Sequence, residues 1–77
     1  MATVGRKIAS EIIENNGHYY GDPRVRYVIR YRNAWGAEDF AIAYTEHDRQ
    51  RYFDADSAAI NPQVIWSFKD GLVGEKP

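Results

Sequence analysis

At 77 residues, 44% of them hydrophobic and 27% charged, the chain suits one small domain with a modest core and does not read as disordered. It has no cysteine, which excludes disulfides, thiolate metal sites and thiol catalysis. A formal net charge of −1 argues against general coating of nucleic acid, and no apolar run approaches the ~20 residues a membrane-spanning helix needs.

The N-terminus carries no apolar signal region and no cleavage pattern. The expectation is a single domain over residues 1–77, soluble and cytoplasmic. Residues 4–16 have the period of an amphipathic helix, with Val4, Ile8 and Ile12 at four-residue spacing and Ala9 and Ile13 beside them. Thr3 is placed to cap it, and Asn15-Asn16-Gly17 to stop it, with Gly17 in a left-handed conformation. A connector follows over His18 to Pro23, in which Gly21-Asp22-Pro23 is turn chemistry.

Residues 24–32, Arg-Val-Arg-Tyr-Val-Ile-Arg-Tyr-Arg, alternate as a strand does. Val25, Tyr27, Ile29 and Tyr31 share one side; Arg24, Arg26, Arg30 and Arg32 share the other, with Val28 at its centre. Four of the ten basic residues thus fall on one side of one strand. Asn33 to Ala37, with Trp35 and Gly36, reads as a hairpin loop, and Asp39 to Thr45 as the second strand.

Thr45 and Asp48 have the spacing of a helix cap, but Glu46 to Gln50 holds no aliphatic residue. The preferred reading is an exposed loop leading into a third strand near Arg51 to Asp54. Asp56 to Asn61 has room for one helical turn, ended by Pro62. Gln63 to Lys69 is the last clear strand, with Val64, Trp66 and Phe68 on one side. Asp70-Gly71 signals a tight turn, and Gly74 to Pro77 are expected to fray.

These elements predict an α+β fold: an N-terminal helix packed on one face of a three- to four-stranded antiparallel sheet. The core is expected in Val4, Ile8, Ile12, Tyr27, Ile29, Phe40, Ile42 and Trp66. The helix then covers the Tyr27/Ile29/Tyr31 side and leaves the arginines on an open face beside Asp39, Ala41, Ala43 and Thr45. A slip of one residue exchanges every side chain. The alternative register sets Phe40, Ile42 and Tyr44 beside the arginines and Ala41 and Ala43 beneath the helix.

No catalytic motif emerges. The glycines at 5, 17, 21, 36, 71 and 74 lack both dinucleotide-binding and P-loop spacing, and no serine lies in a nucleophile motif. His47 between Glu46 and Asp48 lacks the looped ligand spacing of a structural zinc site. His18 reads as a histidine near a helix C-terminus. The expectation is a non-enzyme without catalytic residues, metal or cofactor.

The arginine strand points instead to an anionic partner. Arginine, tyrosine and tryptophan are enriched at protein hot spots. The candidate contact residues are Arg24, Arg26, Arg30 and Arg32, flanked by Tyr19, Tyr20 and Trp35. The function predicted is a small non-catalytic protein-binding module, accessory protein or inhibitor that contacts an acidic protein surface. The alternative is a single-stranded nucleic-acid-binding domain using the same strand face, since about 6.5–7 Å between alternate arginines suits neighbouring phosphates. Against it stand the missing paired aromatic motifs of sheet-based RNA readers and the acids at 46, 48, 54 and 56. In type alone, a short cysteine-free chain without an active site resembles the small accessory proteins of phages and mobile elements, many of which occupy the surface of a host protein. The same composition serves a plain solvated strand, whose arginine stems cover apolar surface and pair with acids across the sheet.

Overall fold

A computed structural model describes residues 4–73. The expected cap at Thr3 and the expected fraying at Gly74 to Pro77 lie outside the described residues. Helix α1 spans Val4–Glu14 and buries Ile8, Ala9 and Ile12, the stripe that its four-residue spacing demands. Val4, expected in that stripe, is exposed; Gly5 makes the contact at this end. The helix stops with Asn16 and Gly17 both at positive φ, where the Gly17 N–H donates to Ile12 O at 2.8 Å.

Four strands follow: β1 (Tyr27–Arg32), β2 (Glu38–Ala43), β3 (Ile60–Ser67) and β4 (Gly71–Leu72). They form an antiparallel sheet of order β2-β1-β3-β4, so the α+β prediction holds. The β1–β2 hairpin turns where expected. Asn33 N–H donates to Ala37 O at 2.9 Å, Gly36 N–H to Asn33 O at 2.9 Å, and Gly36 takes φ 82°. This is a three-residue loop closed by a left-handed glycine.

The helix covers the opposite side of β1 from the one expected. Val28 pairs with Ile42 on β2 and with Trp66 on β3, and it is fully buried against Ile8, Ala9, Ile12 and Trp66. The arginine side of the strand is therefore the helix side, with Val28 beneath the helix and the arginines at either end. The pairing is that of the alternative register, since Arg30 lies opposite Phe40, while Phe40 and Ile42 still face the helix as first expected.

The reverse side is not open either. Ile29, Ala41 and Ala43 are buried there, with Tyr27, Tyr31, Tyr52 and Val64 packed around them. Tyr52, from the segment between β2 and β3, supplies part of that cover. A short helix, α2, spans Glu46–Arg51, where a loop and a third strand at Arg51 to Asp54 were expected. Thr45 caps it: its Oγ1 accepts the Asp48 N–H at 3.0 Å. Beyond α2, Tyr52 folds back onto Tyr31 with ring centroids 6.1 Å apart. Ala41 and Ala43 are small because tyrosines fill the space above them.

The strand expected at Gln63 to Lys69 is β3, which begins earlier, at Ile60, and includes Pro62. Arg30 pairs with Gln63 but Arg32 with Ile60, so β3 bulges at Asn61-Pro62, with Asn61 at φ 52°. A second shift between Val28 and Ile29 sets Val64 and Trp66 on opposite faces, where one face was expected. Pro62 is tolerated because β4 pairs only with Trp66 and Ser67 and leaves this edge of β3 free of partners among the described residues.

Candidate functional site

The four strand arginines separate into two groups with the helix-covered Val28 between them. At one end, Arg24 closes an Asp22-Pro23 turn. Its backbone N–H donates to Asp22 Oδ1 at 2.9 Å, its Nε to the same oxygen at 3.1 Å and its Nη2 to Oδ2 at 2.9 Å. The Arg24 guanidinium holds the Asp22 carboxyl below its ordinary range, and Asp22 in turn raises Arg24. Arg24 also lies over the Tyr44 ring, 5.8 Å from its centroid. Arg26 donates to the carbonyls of Pro23 and Val25 and stacks on Phe68 at 4.5 Å.

At the other end, Arg30 donates to Gln63 Oε1 at 2.7 Å and approaches Glu38 Oε2 at 3.6 Å. Arg32 Nη1 donates to Gly36 O at 2.8 Å and braces the hairpin tip. Among the described residues, Arg26 and Arg32 pair with no carboxylate. Their guanidinium groups donate to backbone carbonyls instead.

The flanking aromatics take three different roles. Tyr19 is half-buried: its ring meets Trp66 edge-on at 6.1 Å and its hydroxyl accepts the Asp22 N–H at 3.1 Å. It positions the turn that carries Arg24. Tyr20 is exposed and stacks on His18. Trp35 is 89% exposed at the hairpin tip, on the Arg30/Arg32 end. The structure thus brings Arg24 and Arg26 together around Tyr44, and it separates them from Arg30, Arg32 and Trp35.

No family model, curated protein or solved structure matches this chain.

Two residues outside the expected set complete the Arg24/Arg26 end. Tyr44 follows β2 and Phe68 follows β3, and both rings are exposed. The first expected register set Tyr44 on the inner side, and the alternative register set it beside the arginines, where it lies. Phe68 was expected on the side of Val64 and Trp66, and its place by Arg26 depends on where β3 ends.

Below these rings a groove of about 520 Å³ runs between Tyr27, Val64 and Phe68, with Lys69 and Asp70 at its rim. Glu46, which also lines it, is held in an ion-pair cluster. Tyr27 donates its hydroxyl to Glu46 Oε1 at 2.8 Å, and Arg49 donates to Glu46 Oε2. Arg49 and Tyr27 together hold the Glu46 carboxyl low, while the bond to Glu46 raises the Tyr27 phenol. Glu46 is thereby neutralised within the fold. Among the described residues, no group of three or more His, Asp or Glu side chains has the arrangement to hold a metal, and no helix is long and apolar enough to cross a membrane.

Proposed function

We propose that this protein is a non-catalytic binding module that docks on an acidic protein surface through the Arg24/Arg26 end of its sheet. The observation that carries this reading is the interleaving of two guanidinium groups with two exposed rings, Arg24 over Tyr44 and Arg26 over Phe68. Stacking holds each long side chain in one place, so less conformational entropy is lost when a carboxylate is bound. Arg26 brings a charge with no described carboxylate beside it, and arginine and tyrosine are hot-spot residues.

A single-stranded nucleic acid would need the ring faces for its bases. Here the guanidinium groups already cover one face of each ring. That balance favours a protein partner.

The test is a titration of labelled protein with an aspartate- and glutamate-rich peptide and, separately, with a single-stranded oligonucleotide. Shifts at Arg26, Tyr44 and Phe68 with the peptide alone support the reading. Shifts with the oligonucleotide alone replace it with the nucleic-acid one.

A further inference from the structure

The groove below Tyr44 and Phe68 shows what an acidic partner must bring besides acid. It holds about 520 Å³, and three rings, Tyr27, Tyr44 and Phe68, line it together with Val64 and Val73. Phe68 is 61% exposed and Tyr44 44%, so much of this apolar surface faces water. Single exposed apolar residues are ordinary, but rings and aliphatics gathered in one concave site mark a place where a ligand binds.

Groove and arginines form one surface. Arg26 and Tyr44 line the groove, and both also line the neighbouring hollow that Arg24 completes. Arg26 lies over Phe68, 4.5 Å from its centroid, so a guanidinium stands against one of the groove's own rings.

The charged side chains lining the groove are Arg26 and Lys69 against Glu46 and Asp70. Glu46 is already matched within the fold, by the Tyr27 hydroxyl and by Arg49. That leaves base in excess. A ligand that fits therefore needs apolar bulk for the rings and negative charge for the guanidinium group. Acid alone leaves the rings wet, and an apolar side chain alone leaves Arg26 without a carboxylate.

We infer that the segment docking here is both acidic and aromatic: one ring enters the groove against Val64, Val73 and Phe68, while a carboxylate on the same side of the segment meets Arg26. This rests on the docking of an acidic protein at the Arg24/Arg26 end, proposed above, and specifies its chemistry. An aromatic side chain buries about 150–250 Å² and pairs with other rings offset or edge-on. In an extended segment, residues two apart lie on one side about 6.5–7 Å from each other. Asp-x-Phe-x-Asp is then the simplest sequence that serves both the groove and the arginine.

Three peptides titrated into the full chain test it. One is built on Asp-x-Phe-x-Asp, the second has serine in place of the phenylalanine, and the third has asparagine in place of both aspartates. Calorimetry gives the affinities, and the methyl resonances of labelled valine report the entry of a ring. The first peptide should bind at least about tenfold tighter than the serine peptide, as expected for a hot-spot aromatic. It should also bind at least about tenfold tighter than the asparagine peptide, with a preference that shrinks as salt screens the charges. Ring currents from the phenylalanine should shift the Val64 and Val73 methyls, while the serine peptide moves Arg26 and leaves those methyls in place. Equal binding of the first two peptides with Val64 and Val73 unmoved overturns the inference and leaves the acidic partner standing. An asparagine peptide as tight as the first overturns the acidic partner, and the inference with it, as does binding by none of the three. Valine shifts that follow protein concentration without any peptide put a second copy in the groove and overturn the inference as well.

Discussion

Val28 lies directly opposite Trp66 across β1 and β3, and both side chains are buried beneath α1. Trp66 is further tied to the end of the helical segment, its Nε1 donating to Gly17 O at 2.8 Å. This pair decides which side of the arginine strand the helix occupies. It also cuts a stripe of four arginines into two separate ends.

The fate of Val28→Arg follows from that pair. A valine at the centre of an open arginine face would accept the change without loss. Under α1 the new guanidinium is buried without a partner, a fault that costs about 3–5 kcal/mol. In a domain this small that removes most of the folding free energy. Val28→Thr should lose about 1–3 kcal/mol, through a buried hydroxyl left without a partner. Urea unfolding of the two variants checks both figures, and a Val28→Arg variant as stable as wild type would return the helix to the other face.

The residues that misled are as informative as those that did not. Helix α1, its stop at Gly17, the Asn33–Ala37 hairpin and the Asp70-Gly71 turn are legible because each depends on local chemistry: apolar spacing, positive φ, a short loop. The covered face of β1 is not local. Both sides of the strand carry apolar residues, and one valine among four arginines looks solvated until Ile8, Ile12 and Trp66 are placed on it. The alanines at 41 and 43 read as a low open surface, whereas they make room for tyrosines. Helix α2 has no buried residue and is defined by its cap at Thr45, so hydrophobic periodicity says nothing about it. The bulges near Ile65 and Asn61-Pro62 break the period of two along β3, which is why Val64 and Trp66 part company. At the candidate site, the arginines and Trp35 were legible as residue types. Tyr44 beside them was legible in the alternative register, whereas their division into two ends and the recruitment of Phe68 were not.

Gly5 gives a test of how the helix sits on the sheet edge. A Cβ there would lie 2.2 Å from the Phe40 carbonyl oxygen. Arg6 donates to the Glu38 carbonyl at 2.6 Å on the same strand, so the start of α1 shields the backbone of β2, an outer strand of the sheet. Gly5→Ala would gain at most about 1 kcal/mol of helix propensity. Forcing backbone apart costs about 1–3 kcal/mol. The clash should win, because a strand carbonyl cannot swing aside as a side chain can. Thermal melting of Gly5→Ala should fall below wild type; a rise would mean that the helix does not approach β2 so closely.

Stability should also depend on pH in a definite direction. Asp22 and Glu46 are both held below their ordinary values of 3.8 and 4.5, chiefly by hydrogen bonds from Arg24 and Arg49. A depressed carboxyl contributes stability that is fully present above its unfolded value and is lost as pH falls through the lower folded one. The loss therefore belongs below about pH 4 and is modest, since both groups are solvent-screened. Melting curves taken down through that range should be flatter for an Asp22→Asn/Glu46→Gln variant than for wild type. Asparagine keeps an acceptor for the Arg24 N–H, so the comparison isolates charge from turn geometry. Equal slopes would mean that these ion pairs contribute nothing in solution.

The two ends of the sheet should fail independently. Arg24→Glu with Arg26→Glu removes the guanidinium groups that lie over Tyr44 and Phe68 and faces an acidic partner with like charge, which costs several kcal/mol of binding. The fold should survive: surface changes away from capped, buried or strained features usually move stability by about 0.5 kcal/mol or less. The Arg24 half gives up its bidentate bond to Asp22, but that pair is exposed and adds little. Arg30→Glu with Arg32→Glu alters the far end, beside Glu38 and the hairpin tip, and should leave binding to an acidic peptide within about twofold of wild type, as expected for residues outside the contact. Isothermal titration of both double variants with the same peptide makes the comparison. Equal losses in the two would mean that the arginines act as one continuous surface. A loss confined to the Arg30/Arg32 variant would move the partner to the Trp35 end.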